Sequence, residues 1–199
     1  MTAAINPGTP KGCERIAYAV GFQENATYSD VYGGGGAIVG LDCHLIRPIN
    51  HASDTLIVFM HPVGGGMYLP LVRQQAKQGH HVLWANSRYR GADYALMMEK
   101  VACDLGEAIC DAKERLGYSN IVLAGWSGGG SLMMWYQALA EAGAGISDTA
   151  AGDPYAVAAS RLPAANSIMM LAAHVSRHRI FTEWLDPSIT DESQPHLRD

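Results

Sequence analysis

The chain has 199 residues, 48% of them hydrophobic and 17% charged, enough apolar material for one packed core and too little length for two ordinary domains. Its net charge of -5 comes from scattered acidic residues; with neither a polybasic footprint nor a block of like charge, nucleic acid is excluded as a partner and a small neutral substrate fits better than a polyanion. The four cysteines lack CxxC spacing, no apolar run approaches the roughly 18 residues of a membrane span, and no basic-then-apolar leader opens the chain, so a cytoplasmic protein without membrane contact, metal or cofactor is expected.

Residues 1–20 contain Pro7, Gly8, Pro10 and Gly12 and read as an irregular lead-in. Residues 28–46 hold two strand-like runs separated by the glycines 33–36. In the second run Val39, Leu41, Cys43 and Leu45 alternate with Gly40, Asp42 and His44, the period of a half-buried strand in an antiparallel hairpin. Residues 55–60 are nearly all apolar, as in a strand buried on both faces of a mostly parallel sheet. A glycine-rich loop follows, then a helix over 69–79 stopped by Gly79 and a short strand over 81–85.

Between residues 96 and 116, Met98, Val101, Ala102, Leu105, Ala108, Ile109, Ala112 and Leu116 fall at helical spacings, and Gly117 stands where a C-terminal cap belongs. A strand over 120–124, a helix over 128–142 and an apolar strand over 167–173 complete the alternation, with residues 143–165 as an irregular connection over the sheet's edge. The order predicts an open α/β sheet with helices on both faces.

Two segments could carry chemistry. Gly125-Trp126-Ser127-Gly128-Gly129 has the pattern G-x-S-x-G, with a buried strand running into it and an amphipathic helix running out of it. Such a sharp turn strains its central residue and holds the side chain out at the carboxyl end of the sheet, while the flanking glycines let strand and helix approach. The helix N-terminus adds free N–H groups suited to a developing negative charge. A tight turn with an N-capping serine would use the same residues; a phosphate loop would need a lysine after the glycines, where Ser131 and Leu132 stand.

The second segment is His61-Pro62-Val63-Gly64-Gly65-Gly66, after an earlier buried strand, where an oxyanion-binding loop belongs if Ser127 attacks an acyl carbon. Pro62 has no N–H, so Val63 or Gly64 would supply one donor and Gly128 the other. A glycine-rich exit from the sheet is the plainer alternative. His61 precedes the serine and sits in the donor loop, so it reads as a brace rather than a base.

Together the segments 56–66 and 122–130 resemble the α/β-hydrolase superfamily, and the likeness covers residues 28–184. It implies a mostly parallel sheet carrying a serine, acid and histidine in that chain order, with ester, thioester, amide or related acyl bonds as targets. Pro62 departs from the glycine of lipase-like members. The resemblance divides the chain into the lead-in, 1–20, and a partial α/β-hydrolase core, 21–199, lacking the last two strand-helix units, since the acid normally follows the seventh or sixth strand and the histidine the eighth. About two dozen residues follow the strand at 167–173, and each further unit needs roughly 30. The acid and histidine are then encoded beyond Asp199 or absent.

Within the chain, Asp186 stands at an acid position after the sixth strand or begins a proline turn, Trp184-Leu185-Asp186-Pro187-Ser188. No base is assigned: His174 and His178 leave the sixth strand, from which the family's histidine does not come, and His196 lies in a polar terminal segment. Met67, Tyr68 and Trp126 line an acyl pocket or belong to the core; Arg88 and Arg90 meet a carboxylate substrate or lie in a solvated loop. Cys103 and Cys110 share a helical face as small apolar residues. Two functions follow: a serine hydrolase for a small acyl substrate, or a non-catalytic domain binding a small apolar ligand or partner. A sixth strand left as an open edge predicts self-association.

Overall fold

The computed structural model describes residues 12–24, 38–67, 69–91, 96–143, 145–157 and 161–176, with positions 180, 188, 191, 193, 194 and 196 beyond them. The first run of the expected hairpin and its glycines 33–36, together with Tyr68, His178 and Asp186, lie outside the described residues.

Among the described residues six strands and three helices follow in chain order: β1 (Cys13–Gln23), β2 (Ile38–Pro48), β3 (Thr55–Phe59), α1 (Pro70–Lys77), β4 (His81–Ala85), α2 (Met98–Glu114), β5 (Asn120–Trp126), α3 (Gly128–Ala142) and β6 (Ser167–Leu171). The irregular lead-in expected over residues 1–20 is corrected here: β1 begins at Cys13 and pairs along its whole length with β2, from Cys13 opposite Pro48 to Gln23 opposite Ile38. The glycines and prolines near the start masked an alternation of Ile16, Tyr18 and Val20 with Arg15, Ala17 and Ala19 that suits a pleated strand.

The sheet order is β1-β2-β4-β3-β5-β6. β1 and β2 run antiparallel to their neighbours, whereas β3 pairs in parallel with β4 and β5, and β5 with β6. Past their polar first residues, Thr55, His81 and Asn120, the central strands are apolar because each feeds two cores. Leu56 and Val58 of β3, Leu83 and Ala85 of β4, and Ile121 and Leu123 of β5 face α2 and α3, against Val101, Leu105, Ile109, Leu132 and Tyr136. Ile57, Phe59, Val82, Trp84 and Ala124 point the other way, onto Val72 and Ala76 of α1. Helices therefore cover both faces, as the α/β pattern predicted. Cys43, Cys103 and Cys110 are buried and form no disulfide, and burial pushes the Cys43 thiol up to about 12 and that of Cys110 to about 11.

α3 keeps the bounds its sequence predicts, ending at Gly143 in the left-handed region (φ 64°). The connection after it forms no regular element among its described residues. It crosses α2 closely: a Cβ on Gly106 would stand 2.4 Å from the Arg161 carbonyl oxygen, and Arg161 bridges Glu107 and Glu114 at 2.8 and 2.7 Å. Parallel register places the exits of β3, β4, β5 and β6 on one rim, with Phe59 opposite both Trp84 and Ala124, and Trp126 opposite Leu171. That rim is where open α/β sheets gather their functional loops.

Candidate active site

At the end of β5 the chain turns into α3 within a single residue. Ser127 adopts φ 54° and ψ −126°, a conformation that an L-residue with a Cβ rarely occupies, and serves as N-cap without a side-chain capping bond. A capping serine would turn its hydroxyl onto the helix N–H groups, so this geometry departs from the simple tight turn. The side chain is half-buried rather than in the core.

The surrounding glycines are required by contact. A Cβ on Gly125 would stand 2.6 Å from the Gly130 Cα, one on Gly129 2.7 Å from the Met60 carbonyl oxygen, and one on Gly130 2.3 Å from the Ala173 Cβ. The turn is thus wedged between the loop after β3 and the exit of β6. Residue by residue, the sequence pattern G-x-S-x-G-G reports three close approaches rather than a flexible segment.

The loop at 61–67 emerges beside this turn. Its fold is braced from several sides: the Ser87 hydroxyl donates to the Pro62 carbonyl at 2.7 Å, the Gly66 carbonyl accepts from Leu69 N–H at 2.9 Å, and a Cβ on Gly66 would stand 1.9 Å from the Trp84 ring. Trp84 is held in turn by Asn86, whose side-chain oxygen accepts from its indole N–H at 2.9 Å. His61 Nδ1 lies 2.5 Å from the Val63 carbonyl and its ring faces Trp126 at 5.8 Å, the bracing role its position suggests. Val63 N–H is 3.4 Å from the same Nδ1, too long and too crowded for a strong bond, and Gly64 has φ 72°. Val63, Gly64, Gly128 and Ser127 therefore all lie on elements that leave the sheet at the same rim.

Of the described histidines after Ser127, His174 is brought to the turn. Beyond β6, Ala172 takes φ 44°, the Ser127 N–H donates to the Leu171 carbonyl at 3.3 Å, and the His174 N–H donates to the Ser127 carbonyl at 2.8 Å. The His174 imidazole Nε2 stands 3.5 Å from the Ser127 Oγ. His174 also lines an open groove of about 680 Å³ bounded by Met98, Met134, Trp135, Met170 and Val175. Met134, Met170 and Val175 are the exposed large apolar side chains of this corner.

Other candidates take different places. Arg88 belongs neither to a solvated loop nor to an open carboxylate site. Its guanidinium grips the fully buried Asp104 at 2.6 and 2.9 Å and bonds Glu24, which also accepts from Tyr155 at 3.3 Å and lies 3.5 Å from Lys100. Burial pulls the Arg88 pKa down, but the two carboxylates outweigh it and carry it above the ordinary arginine range. Arg90 pairs with Asp42 at 2.6 Å on the exposed side. Met67 packs on the α1 core and Trp126 is half-buried. His196 is exposed. Among the described residues, no group of three histidine, cysteine, aspartate or glutamate side chains is gathered as a metal would need, and no helix is long and apolar enough to cross a membrane.

An antiparallel start, a β4-β3-β5-β6 parallel run and a serine on the β5-to-α3 turn make this an α/β-hydrolase-type fold. No family model and no curated protein matches the sequence. Solved structures that overlap it include the brefeldin A esterase described as a bacterial homologue of human hormone sensitive lipase (19% identity, 71% of this chain and 39% of that one, TM-score 0.44). A bacterial heroin esterase overlaps at 16% identity, over 71% of this chain and 43% of that one, with TM-score 0.46. Est1E from Butyrivibrio proteoclasticus overlaps at 21% identity, over 58% of this chain and 45% of that one, with TM-score 0.41. The chain thus spans less than half the length of each of these three structures. Its own strand order and turn, rather than those overlaps, define its fold class.

Proposed function

We propose that the chain is a serine hydrolase acting on an ester or related acyl bond of a small molecule, with Ser127 as nucleophile. The observation that carries this is the Ser127 backbone, held at φ 54° on a turn where Gly125, Gly129 and Gly130 admit no Cβ. Strain of this kind costs about 1–3 kcal/mol and persists where the surroundings over-determine it, most often at functional sites. In this reading Ser127 Oγ attacks the acyl carbon, and the resulting oxyanion is met by the Gly128 N–H at the positive end of α3 and by a second N–H from Val63 or Gly64. No cofactor takes part.

The groove beside the turn favours a second reading, in which the domain binds a small apolar ligand without reacting with it. Its methionines and Trp135 offer an adaptable apolar wall to such a ligand. Treatment with a fluorophosphonate probe, read by mass spectrometry, separates the two. Prompt adduct formation on Ser127, lost in Ser127→Ala, together with turnover of short or long acyl esters, is the outcome expected of a hydrolase. A folded chain inert to the probe would leave only the binder.

A further inference from the structure

We infer that His174 is the general base of Ser127, an inference that rests on the serine-hydrolase reading above. It concerns a residue that enters the site from the end of β6, a place the chain order of the resemblance does not supply.

The imidazole is positioned by backbone rather than by chance proximity. Ser127 is latched on both sides of its own peptide, donating to Leu171 at 3.3 Å and accepting from His174 at 2.8 Å. Ala172, between them, takes φ 44°, which turns the chain sharply back toward the serine. Ala173 is seated against Gly130, where any Cβ would stand 2.3 Å from its own. Three consecutive residues are therefore fixed against the turn, and the fourth in the series carries its ring over the hydroxyl.

His174 Nε2 is 3.5 Å from Ser127 Oγ, at the long end of hydrogen-bond range. Catalytic hydrogen bonds are commonly long without substrate and tighten in the complex. The other described histidine near the turn, His61, already spends its Nδ1 on the Val63 carbonyl in its own loop. His174 in addition borders the groove of about 680 Å³, so one side chain both approaches the hydroxyl and lines a space of small-molecule size.

The step balances as follows. As Oγ bonds to the acyl carbon, its proton passes to Nε2 and the carbonyl π pair moves onto oxygen. Collapse of that oxyanion breaks the bond to the leaving alkoxide, which takes the proton from the imidazolium. Water then gives its proton to Nε2 as it attacks the acyl-enzyme, and Ser127 leaves with that proton restored. With a fluorophosphonate, Oγ bonds to phosphorus, fluoride departs and the proton again goes to Nε2.

The test uses the full chain and the rate of fluorophosphonate labelling at Ser127, with thermal unfolding recorded beside it. In His174→Ala labelling should slow by about a hundredfold or more, the usual range for losing a general base. Added imidazole should restore part of the rate in His174→Ala and none in Ser127→Ala. His174→Gln keeps a polar side chain but takes no proton; it should label as slowly as His174→Ala, and it carries the test if the alanine variant unfolds. Labelling at the parent rate in either folded variant overturns this inference and leaves the hydrolase reading intact. A folded parent chain that does not label at all overturns both.

Discussion

Around Arg88 four charged side chains are withdrawn from water and closed upon one another, whereas around Ser127 a single hydroxyl is left half-open on a strained backbone. Glu24, Arg88, Lys100 and Asp104 come from the end of β1, the exit of β4 and α2, and their two positive and two negative charges cancel within the cluster. Asp104 is wholly buried, and burial pushes its carboxyl above the usual range in spite of Arg88. Charges so placed have no capacity left for a ligand; they pin the hairpin to α2. The Ser127 corner has the opposite character: its glycines and carbonyls are packed tightly, yet the hydroxyl stands 3.5 Å from an imidazole that itself borders an open groove. Burial with mutual satisfaction marks structure here, and strain beside open space is what supports the chemistry proposed for Ser127.

The largest effect expected from breaking this contrast is at Arg88. Arg88→Ala strands Asp104 and Glu24 as buried carboxylates and should cost about 3–5 kcal/mol in urea unfolding, because an uncompensated buried charge remains. Arg88→Lys should recover only part, since an ammonium cannot reproduce the fork that reaches both carboxylates. A loss under about 1 kcal/mol for Arg88→Ala would mean that water enters the cluster.

A smaller effect of opposite sign is expected at the turn. Ser127→Gly removes the Cβ from a backbone with positive φ and should stabilise the fold by about 1 kcal/mol, the relief of strain being partly offset by a freer unfolded chain. In a chain of this size that is a rise of roughly 2–4 °C in the unfolding midpoint, with probe labelling abolished. Stabilisation with loss of reactivity would sharpen the contrast; destabilisation would place Ser127 among the structural groups.

The smallest concerns a buried polar pair without net charge. His81 accepts from the Tyr118 hydroxyl at Nδ1 over 2.7 Å and donates from Nε2 to the His51 carbonyl over 2.8 Å, and burial pulls its imidazole below the ordinary value of 6.5. A histidine whose folded pKa lies below its unfolded one contributes stability that is complete above about pH 6.5 and is lost as the pH falls, because the unfolded chain binds the proton more readily. Unfolding midpoints followed from about pH 8 down to about pH 5 should decline more steeply for the parent than for His81→Asn. Parallel curves would mean that protonation of His81 is not coupled to folding.

Much of the fold was legible because the relevant signals are local. Both ends of α3 could be read to the residue, since a glycine-flanked serine starts it and Gly143 ends it in the left-handed region. The buried runs at β3, β4 and β5 were visible because strands that feed two cores have no polar face. β1 was hidden by the prolines and glycines before it, although Ile16, Tyr18 and Val20 kept the period of a strand. Its partner register, Cys13 opposite Pro48, depends on a strand that lies beyond the intervening connection.

Sequence alone determined the α/β alternation, the strand-to-helix turn at Ser127 and the glycine loop after β3, because periodicity and glycine punctuation act over a few residues. Tertiary structure alone decided that Arg88 would be consumed by Glu24, 64 positions away, and that His174 would reach Ser127 across 47. Charge pairing and proton transfer require atoms a few ångströms apart, and over such separations that distance is set by how strands stack into a sheet.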